Sequence, residues 1–300
     1  MSYKKLLLAV FCALPFSLFA LHTRLPLKEA MLKKMVAVDA SSNGGHMGKG
    51  LSLEVTNLTS NDLTLTVDPG LIFTPNDTGF QNLVALGGEM IDLPAYNCGR
   101  TQLQTFCGKS YASSPLEGLT YQYWKQGDSS MVNTMDYMRE KRIKGHLAQM
   151  AVWTFTNQHC LSTVFEPDEK ERSKELINFI AMQRHIPIPK YYTYYELNNV
   201  PGMSVISQNS GKHYVEVSWK TGEGFGNMYV NVYKEDGNLY KTVKGSEVCD
   251  ARGCLVTVKF DPAVDKRGKY FVVVEDDTNK VWVKKEVLVG ADWCNYTAMN

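Results

Sequence analysis

The stretch HLAQMAVWTFTNQHC, residues 146–160, decides how the first half of the chain is organised. At the helical spacing of about 100° per residue, its apolar positions from Leu147 to Phe155 fall on one wide stripe. A second strip carries Gln149 and, one turn later, Trp153. The spacing predicts a helix with one face packed on a core. It does not explain why a glutamine and a tryptophan lie on the opposite face.

The bulk composition sets the size and class of the protein. The chain has 300 residues, 44% of them hydrophobic, which is enough for about two domains. Its 32 basic and 31 acidic side chains give a formal net charge of +1. Because a nucleic-acid-binding surface needs a basic excess, this balance predicts no nucleic-acid partner.

The first twenty residues, MSYKKLLLAVFCALPFSLFA, have the features of a secretory signal peptide. Lys4 and Lys5 make a basic start, residues 6–19 are apolar, and Ala20 is a small residue at a plausible cleavage site. The apolar run is too short for a membrane span of about 20 residues. We therefore expect a mature chain that is secreted, periplasmic or at the cell surface, with no transmembrane span.

The rest of the first half, residues 21–197, predicts a β-sandwich with an attached helical subdomain. Short alternating runs such as LSLEVTN and DLTLTV are typical of strands. The helical patterns cover residues 131–144, 146–161 and 167–185, with Gly145 as a break between the first two. Residues 26–38 predict a further short helix at the start of the mature chain.

The second half, residues 203–290, predicts an antiparallel β-sandwich that resembles immunoglobulin and fibronectin-III modules. Runs such as HYVEVSWK, MYVNVYKE and YFVVVED alternate between apolar and polar residues, with turn signals between them. Trp219 is expected to face inward on an early strand. The chain is thus predicted to be mostly β, with residues 291–300 as a C-terminal tail.

Six cysteines remain once the signal segment with Cys12 is removed, and an even number in an exported protein favours disulfides. Close spacing favours Cys249–Cys254 and allows Cys98–Cys107, and Cys160–Cys294 would complete the set, although six cysteines allow 15 pairings and the partner of Cys294 stays open.

Motifs for cofactor or metal chemistry are absent from the sequence. The loop GGHMGKG, residues 44–50, lacks the first glycine and the hydroxyl residue of a phosphate-binding loop, so a flexible linker is expected. None of the six histidines has the spacing of a zinc hydrolase, and surface or locally bonded histidines are expected. We predict no metal, no cofactor and no assembled catalytic motif. Free carboxylates that a carbohydrate-active enzyme could use are Glu54, Glu89, Glu117 and Glu196.

Four tyrosines in the run YYTYYEL are candidates for binding a partner protein or a glycan, because aromatic rings offer large contact area. They are Tyr191, Tyr192, Tyr194 and Tyr195. The alternative is that they pack the junction between the two domains, and the sequence favours packing.

Two segments of the first half resemble the thioester domains of bacterial surface adhesins. The first is Thr105-Phe106-Cys107, and the second is the helical Ala148-Gln149-Met150-Ala151-Val152-Trp153, in the order that family uses. The resemblance covers roughly residues 80–160. It implies that the sulfur of Cys107 replaces the amide nitrogen of Gln149 to give an acyl electrophile for a partner's lysine, with Trp153 as a pocket wall. Gly108, where that family favours threonine, departs from the pattern, and a Cys98–Cys107 disulfide would leave no thiol for the reaction.

The sequence thus leaves three functions open. The favoured one is an exported, non-catalytic binding or adhesion protein with a protein or glycan ligand. In that case Gln149 is structural, and its amide satisfies backbone groups of the adjacent sheet. The alternatives are a covalent thioester adhesin that uses Cys107 and Gln149, and an exported carbohydrate-active enzyme.

Overall fold

A computed structural model describes residues 23–198, 200–206, 211–220, 227–243, 248–250 and 253–290, with residues 248–250 described by their backbone alone. The expected signal segment and the expected C-terminal tail lie outside the described residues. The described residues are mostly β, with 45% in strands and 21% in helices, as the alternating patterns predicted.

The first half contains nine strands in two sheets. The strands are β1 Thr23–Pro26, β2 Val36–Asn43, β3 Met47–Asn57, β4 Leu63–Thr66, β5 Leu71–Pro75, β6 Leu83–Ala85, β7 Met90–Leu93, β8 Cys98–Cys107 and β9 Glu117–Gln126. Six of them close into a barrel in the order β2-β3-β8-β6-β5-β9, and β1-β4-β7 form a separate small sheet. The barrel replaces the predicted sandwich, because β9 pairs with β2 as well as with β5 and so closes the sheet on itself.

The barrel interior follows the two-residue alternation of its strands. Along β3, Leu51, Leu53 and Val55 are buried, whereas Ser52 and Glu54 between them are only partly buried. The alternation visible in the sequence therefore identified the core-facing residues, although it did not reveal that the sheet closes.

The predicted helix over residues 26–38 is wrong in its second part. Only α1, Leu27–Leu32, is helical, and Lys34 just after it has a left-handed φ of 54° that ends the helix. The β-branched Val36 and Val38 then begin β2. The expected flexible linker at residues 44–50 is instead the turn and first residues of a hairpin, since β3 already begins at Met47.

The helical subdomain consists of α2 Ser129–Glu140, α3 Gly145–Thr156 and α4 Lys170–Arg184. Asp128 caps α2 by accepting the amide N–H of Met131, and Gly145 opens α3 with a φ of +67° that favours glycine. In α3 every residue from Leu147 to Thr154 is buried. The predicted one-faced helix is therefore surrounded on all sides, which places its polar strip inside the protein.

Among the described residues, the second half and the preceding strand β10 form two four-stranded sheets, with orders β10-β11-β15-β14 and β13-β12-β16-β17. Their strands are β10 Tyr192–Tyr194, β11 Lys212–Trp219, β12 Met228–Lys234, β13 Leu239–Thr242, β14 Val248–Asp250, β15 Gly253–Phe260, β16 Gly268–Asp276 and β17 Val281–Val289. Valines of both sheets share one core, to which the partly buried Trp219 adds its ring. All the pairings within these sheets are antiparallel.

The chain crosses between the two cores more than once. Strand β10 pairs with β11 of the second half, yet the later Val205 is fully buried in the core of the first half. The junction is therefore a packed segment. Among the described residues, no helix has the length and apolar character needed to cross a bilayer.

Candidate functional site

Cys107 and Gln149 meet in the interior of the first half. The amide N–H of Cys107 donates to Oε1 of Gln149 at 2.9 Å, and Nε2 of Gln149 donates to the carbonyl oxygen of Cys107 at 2.8 Å. Both residues are completely inaccessible to water. The Gln149 carboxamide thus forms two hydrogen bonds with a single residue, as the peptide group of a neighbouring strand would.

The strand ladder explains why the carboxamide fits there. Cys107 is the last residue of β8 and pairs with Leu83 of β6 on one side. On the other side β3 begins at Met47, which pairs with Phe106, and the carbonyl oxygen of His46 just before it accepts the N–H of Cys107 at 3.2 Å. The helix α3, packed on β8, supplies Gln149 at this position. Oε1 of Gln149 shares the N–H of Cys107 with the carbonyl oxygen of His46, and its Nε2 donates to the buried carbonyl oxygen of Cys107.

The thiol of Cys107 is free and buried. Burial raises the pKa of this thiol well above its ordinary value, so the sulfur is protonated until a base removes the proton. Tyr121 lies nearby on β9 and donates its hydroxyl to the carbonyl oxygen of Gln81 at 2.8 Å. Burial, and then the charge that Cys107 carries when ionised, raise the pKa of Tyr121.

Trp153 follows Gln149 by one helical turn and is fully buried. Its ring centre lies 5.2 Å from that of His159, and Nε2 of His159 lies 2.8 Å from the hydroxyl oxygen of Ser110. Burial lowers the pKa of His159 to about 4, so the ring is neutral near pH 7. The surroundings of α3 near Gln149 are therefore aromatic, and the role of Trp153 as a pocket wall stays a prediction.

The loop after β8, residues 108–116, fixes the end of that strand. Gly108 donates its N–H to the carbonyl oxygen of Asn82 at 2.7 Å, and Ser110 donates its N–H to Oδ1 of Asn157 at 3.0 Å. Further along, Ser114 donates its N–H to the carbonyl oxygen of Met203 at 2.8 Å. The loop thereby ties Cys107 to the residues after α3 and to the segment that leads into the second half.

The predicted Cys98–Cys107 disulfide is wrong. Both cysteines are free, with Cys98 exposed and Cys107 buried. They stand at opposite ends of the continuous strand β8, and nine strand residues span about 30 Å, which no disulfide can bridge. The main objection to a reactive Cys107 is thereby removed.

The other two predicted disulfides involve cysteines whose partners are not fully described. Cys160 and Cys254 are disulfide-bonded. Cys254 pairs in register with Cys249 across two antiparallel strands, but the side chain of Cys249 lies outside the described residues, as does Cys294. The two pairings therefore stay predictions.

The four candidate tyrosines lie at the junction and are only partly exposed. Tyr192 stacks on Phe165 with ring centres 4.7 Å apart, and Tyr191 meets the ring of His213 edge-on at 5.7 Å. Tyr194 packs against His146, and the carbonyl oxygen of Tyr195 lies 2.7 Å from Nε2 of the same histidine. These contacts favour the packing alternative over an open binding surface.

The histidines are less exposed than the sequence suggested. His46, His159 and His213 are buried, each with 3% of its surface exposed. No spacing motif marks them, because their burial depends on long-range pairings. Within the described residues, no group of three or more His, Cys, Asp or Glu side chains is arranged to hold a metal ion.

A separate polar cleft of about 1330 Å³ lies on the barrel, lined by strands β2, β3, β8 and β9 with β7. Cross-strand neighbours form one row of Asp39, Glu54 and Arg100. Glu54 binds Arg100 in an ion pair of 2.6 Å. Glu89 accepts the N–H of Gln104 with one oxygen, while its buried Oε2 has no hydrogen-bond partner in the described structure. The cleft thus gathers two of the four carboxylates named above, Glu54 and Glu89.

Comparison of the chain with protein-family models, with curated proteins and with solved structures finds no match.

Proposed function

We propose that this protein is an exported covalent adhesin in which Cys107 and Gln149 form an internal thioester. The observation that carries the proposal is the pairing of the Gln149 carboxamide with Cys107 at 2.8 and 2.9 Å, in a dry interior and beside a free thiol. The local sequences that resemble adhesin thioester domains are the ones that meet at this point.

The reaction replaces the amide of Gln149 by a thioester. The Cys107 sulfur attacks Cδ of Gln149, the bond from Cδ to Nε2 breaks, and the nitrogen leaves as ammonia with the thiol proton. Negative charge develops on Oε1 during the attack, and the Cys107 N–H already donates to that oxygen. A preorganised donor of this kind stabilises the charge of the intermediate at no cost in reorganisation.

The fixed positions of Cys107 and Gln149 and their burial away from water support the same proposal. A strand end and a buried helix hold the two residues together, so the reaction is intramolecular between groups of fixed orientation. Complete burial of Cys107 and Gln149 keeps water from the acyl carbon, which protects a thioester from hydrolysis until an amine reaches it.

The rest of the chain fits an adhesin. The N-terminal segment favours export and a location outside the cell or at its surface. The two antiparallel sheets around one core in the second half support an immunoglobulin-like sandwich. Such a module would hold the reactive first half away from its point of attachment, toward the lysine of a partner protein.

Intact-mass spectrometry tests the proposal directly. The mature wild-type protein should be lighter than its reduced sequence by one ammonia in addition to the hydrogens lost to disulfides. Methylamine should then add its full mass and release one thiol. Cys107→Ala and Gln149→Ala should abolish both changes. Cys98→Ala is the matched control, because Cys98 is a free cysteine at the other end of the same strand. A wild-type mass explained by disulfides alone, with no methylamine adduct, would exclude the thioester.

A second candidate function is reversible glycan binding in the polar cleft. Its floor is a row of hydroxyl and amide side chains, Thr120, Ser41, Ser52 and Gln102, paired across four strands. The unpaired Oε2 of Glu89 could accept a hydrogen bond from a sugar hydroxyl.

A glycan array separates this candidate from the covalent one. Reversible binding that persists in Cys107→Ala and falls at least tenfold in Gln102→Ala would support it. Lys125→Ala, an exposed change on β9 outside the cleft, should leave binding unaltered. Hydrolysis of the bound sugar would instead favour a carbohydrate-active enzyme.

A further inference from the structure

His46 lies beside the sulfur-bearing residue of the proposed site. It precedes Met47, which pairs with Phe106, and its carbonyl oxygen accepts the N–H of Cys107 at 3.2 Å. His46 therefore continues the antiparallel register opposite Cys107. Residues directly opposite each other in such a ladder project their side chains to the same face, with Cβ atoms about 5 Å apart. The register therefore places the side chains of His46 and Cys107 on the same face of the ladder.

The ring of His46 has a buried nitrogen without a hydrogen-bond partner. Its Nε2 is buried and has no hydrogen-bond partner among the described residues, while the residue as a whole is 3% exposed. Burial, and then the nearby His146, lower the pKa of His46. The ring is therefore neutral near pH 7, and a neutral imidazole with an unpaired nitrogen can accept a proton.

Three other titratable side chains around the site each have a polar partner. The hydroxyl of Tyr121 donates to the carbonyl oxygen of Gln81, and Nε2 of His159 is paired with Ser110. His146 places Nε2 against the carbonyl oxygen of Tyr195 and Nδ1 3.2 Å from Glu166. His46 differs from these three side chains in two ways: its Nε2 has no hydrogen-bond partner among the described residues, and it lies opposite Cys107 in the strand register. Oγ1 of Thr105 and Nε1 of Trp153 are, like Nε2 of His46, buried without a hydrogen-bond partner among the described residues, but a hydroxyl and an indole are not bases near pH 7.

We propose that His46 transfers the proton in thioester formation, an inference that rests on the proposed function. His46 takes the proton of the Cys107 thiol as the sulfur attacks Cδ of Gln149. It gives that proton to Nε2 of Gln149 as the carbon–nitrogen bond breaks. The products are the thioester, free ammonia and a neutral His46, so atoms and charge balance without a further reactant.

The need for such a group follows from the raised pKa of Cys107. A buried thiol is a poor nucleophile until it is deprotonated, and an amide nitrogen is a poor leaving group until it is protonated. One imidazole that accepts a proton from the sulfur and then donates it to the amide nitrogen can meet both needs. General acid–base catalysis by a positioned side chain contributes about 100-fold to 10,000-fold in rate.

The experiment times re-formation of the thioester in the full-length mature protein. Ammonia opens the thioester and regenerates the Gln149 amide and the Cys107 thiol. After ammonia is removed, the loss of mass is followed by intact-mass spectrometry in wild type, His46→Ala, His46→Gln and the control His213→Gln. His213 is equally buried but belongs to the second half. Circular dichroism and thermal melting establish that each variant is folded.

We expect His46→Ala and His46→Gln to re-form the thioester at least about 100-fold more slowly than wild type. Imidazole in the buffer should accelerate His46→Ala and leave His213→Gln at the wild-type rate. The wild-type rate should fall on acidification as His46 becomes protonated. Cys107 on β8 and His146 on α3 are the titratable groups that face this ring. The fall should be absent in His46→Ala.

A wild-type protein that never loses ammonia contradicts the proposed function itself. A wild type that forms the thioester while a folded His46→Ala forms it equally fast overturns the role of His46 alone. The role of His46 is also overturned if His46→Ala re-forms the thioester slowly, is not accelerated by imidazole and keeps the acid dependence of wild type. The slow rate would then be a structural consequence of the substitution.

Discussion

At the scale of single residues, Gln149 has a structural and a chemical role at the same atoms. Its Nε2 and Oε1 satisfy the C=O and N–H of Cys107 in the core, which the structural interpretation of the sequence expected. The same two bonds hold the amide against the residue whose sulfur would attack it. The two roles belong to successive states, because thioester formation expels Nε2 and so removes its hydrogen bond to the carbonyl oxygen of Cys107.

Gln149→Glu should destabilise the protein by about 3 kcal/mol at neutral pH, because it places a carboxylate oxygen against the carbonyl oxygen of Cys107 in a dry interior. The loss should shrink as the pH falls, since a protonated carboxyl group can again donate to that carbonyl. Urea unfolding at several pH values measures both effects. Gln102→Glu, an exposed change on the same strand, should cost within about 0.5 kcal/mol. Equal losses in the two variants would contradict the importance of the pair.

His213 gives the second half a defined pH dependence. The N–H of Gly290 donates to Nε2 at 3.2 Å, so Nδ1 carries the proton and faces Oγ1 of Thr193 at 3.1 Å. Burial lowers the pKa of His213 to about 4, from the ordinary 6.5. Because the pKa of His213 is lower in the folded protein than in the unfolded chain, the unfolded chain binds a proton first as the pH falls. The contribution of the neutral, buried ring to the free energy of unfolding is therefore complete above pH 6.5 and is lost as the pH falls toward 4.

The stability advantage of wild type over His213→Gln should therefore narrow between neutral pH and pH 4, by at most about 3 kcal/mol. Chemical denaturation across that range provides the measurement. His159→Gln should show a similar narrowing, because burial also lowers the pKa of His159 to about 4. A constant difference between wild type and His213→Gln would mean that the ring is not held neutral by the fold.

At the scale of elements, local signals in the sequence predicted where a helix or strand lies in the chain better than they predicted which other elements pack against it. Gly145 and the apolar spacing located the start of α3, since glycine readily adopts the positive φ found there, but the helix ends at Thr156 and not at the predicted residue 161. The burial of α3 depends in part on β8 and β3, which come from distant parts of the chain, and on α2. The sequence predicted a flexible linker around His46, and only the long-range pairing with Cys107 indicates that this histidine belongs to the candidate site. Barrel closure was likewise unpredictable, because it rests on the long-range pairing of β2 with β9.

Gly145→Ala tests how firmly the start of α3 holds Gln149. A Cβ at this position would meet no atom within 4 Å, so the cost arises from the positive φ and should be about 1 kcal/mol. Urea unfolding should show that loss, and hydrogen exchange should accelerate in the first turns of α3. Gly237→Ala is matched, with a φ of +84° and equally open space in a hairpin of the second half. It should cost a similar amount without changing exchange in α3, and faster α3 exchange in Gly237→Ala would refute a local effect.

At the scale of the whole molecule, aromatic and charged contacts join the two halves. Phe165, which follows α3, is fully buried between Tyr192 of β10 and Tyr214 of β11, at 4.7 and 5.3 Å between ring centres. On α4, Lys174 forms an ion pair of 2.9 Å with Glu216 of β11. The burial of Lys174 acts to lower its pKa, but its hydrogen bonds to carboxylates outweigh that effect and raise it. The helical subdomain therefore anchors the second half.

Phe165→Ala should uncouple the two halves, because it removes the buried ring that both sides contact. Truncation of a buried phenylalanine costs about 3–5 kcal/mol, and here part of that loss falls on the junction. We expect wild type to melt in one calorimetric transition and Phe165→Ala in two. Phe179→Ala is the control, since Phe179 stacks on Tyr137 at 4.1 Å within the helical subdomain. It should lower the melting temperature while keeping a single transition. One transition in Phe165→Ala, displaced like that of Phe179→Ala, would show that Phe165 stabilises the first half without linking it to the second.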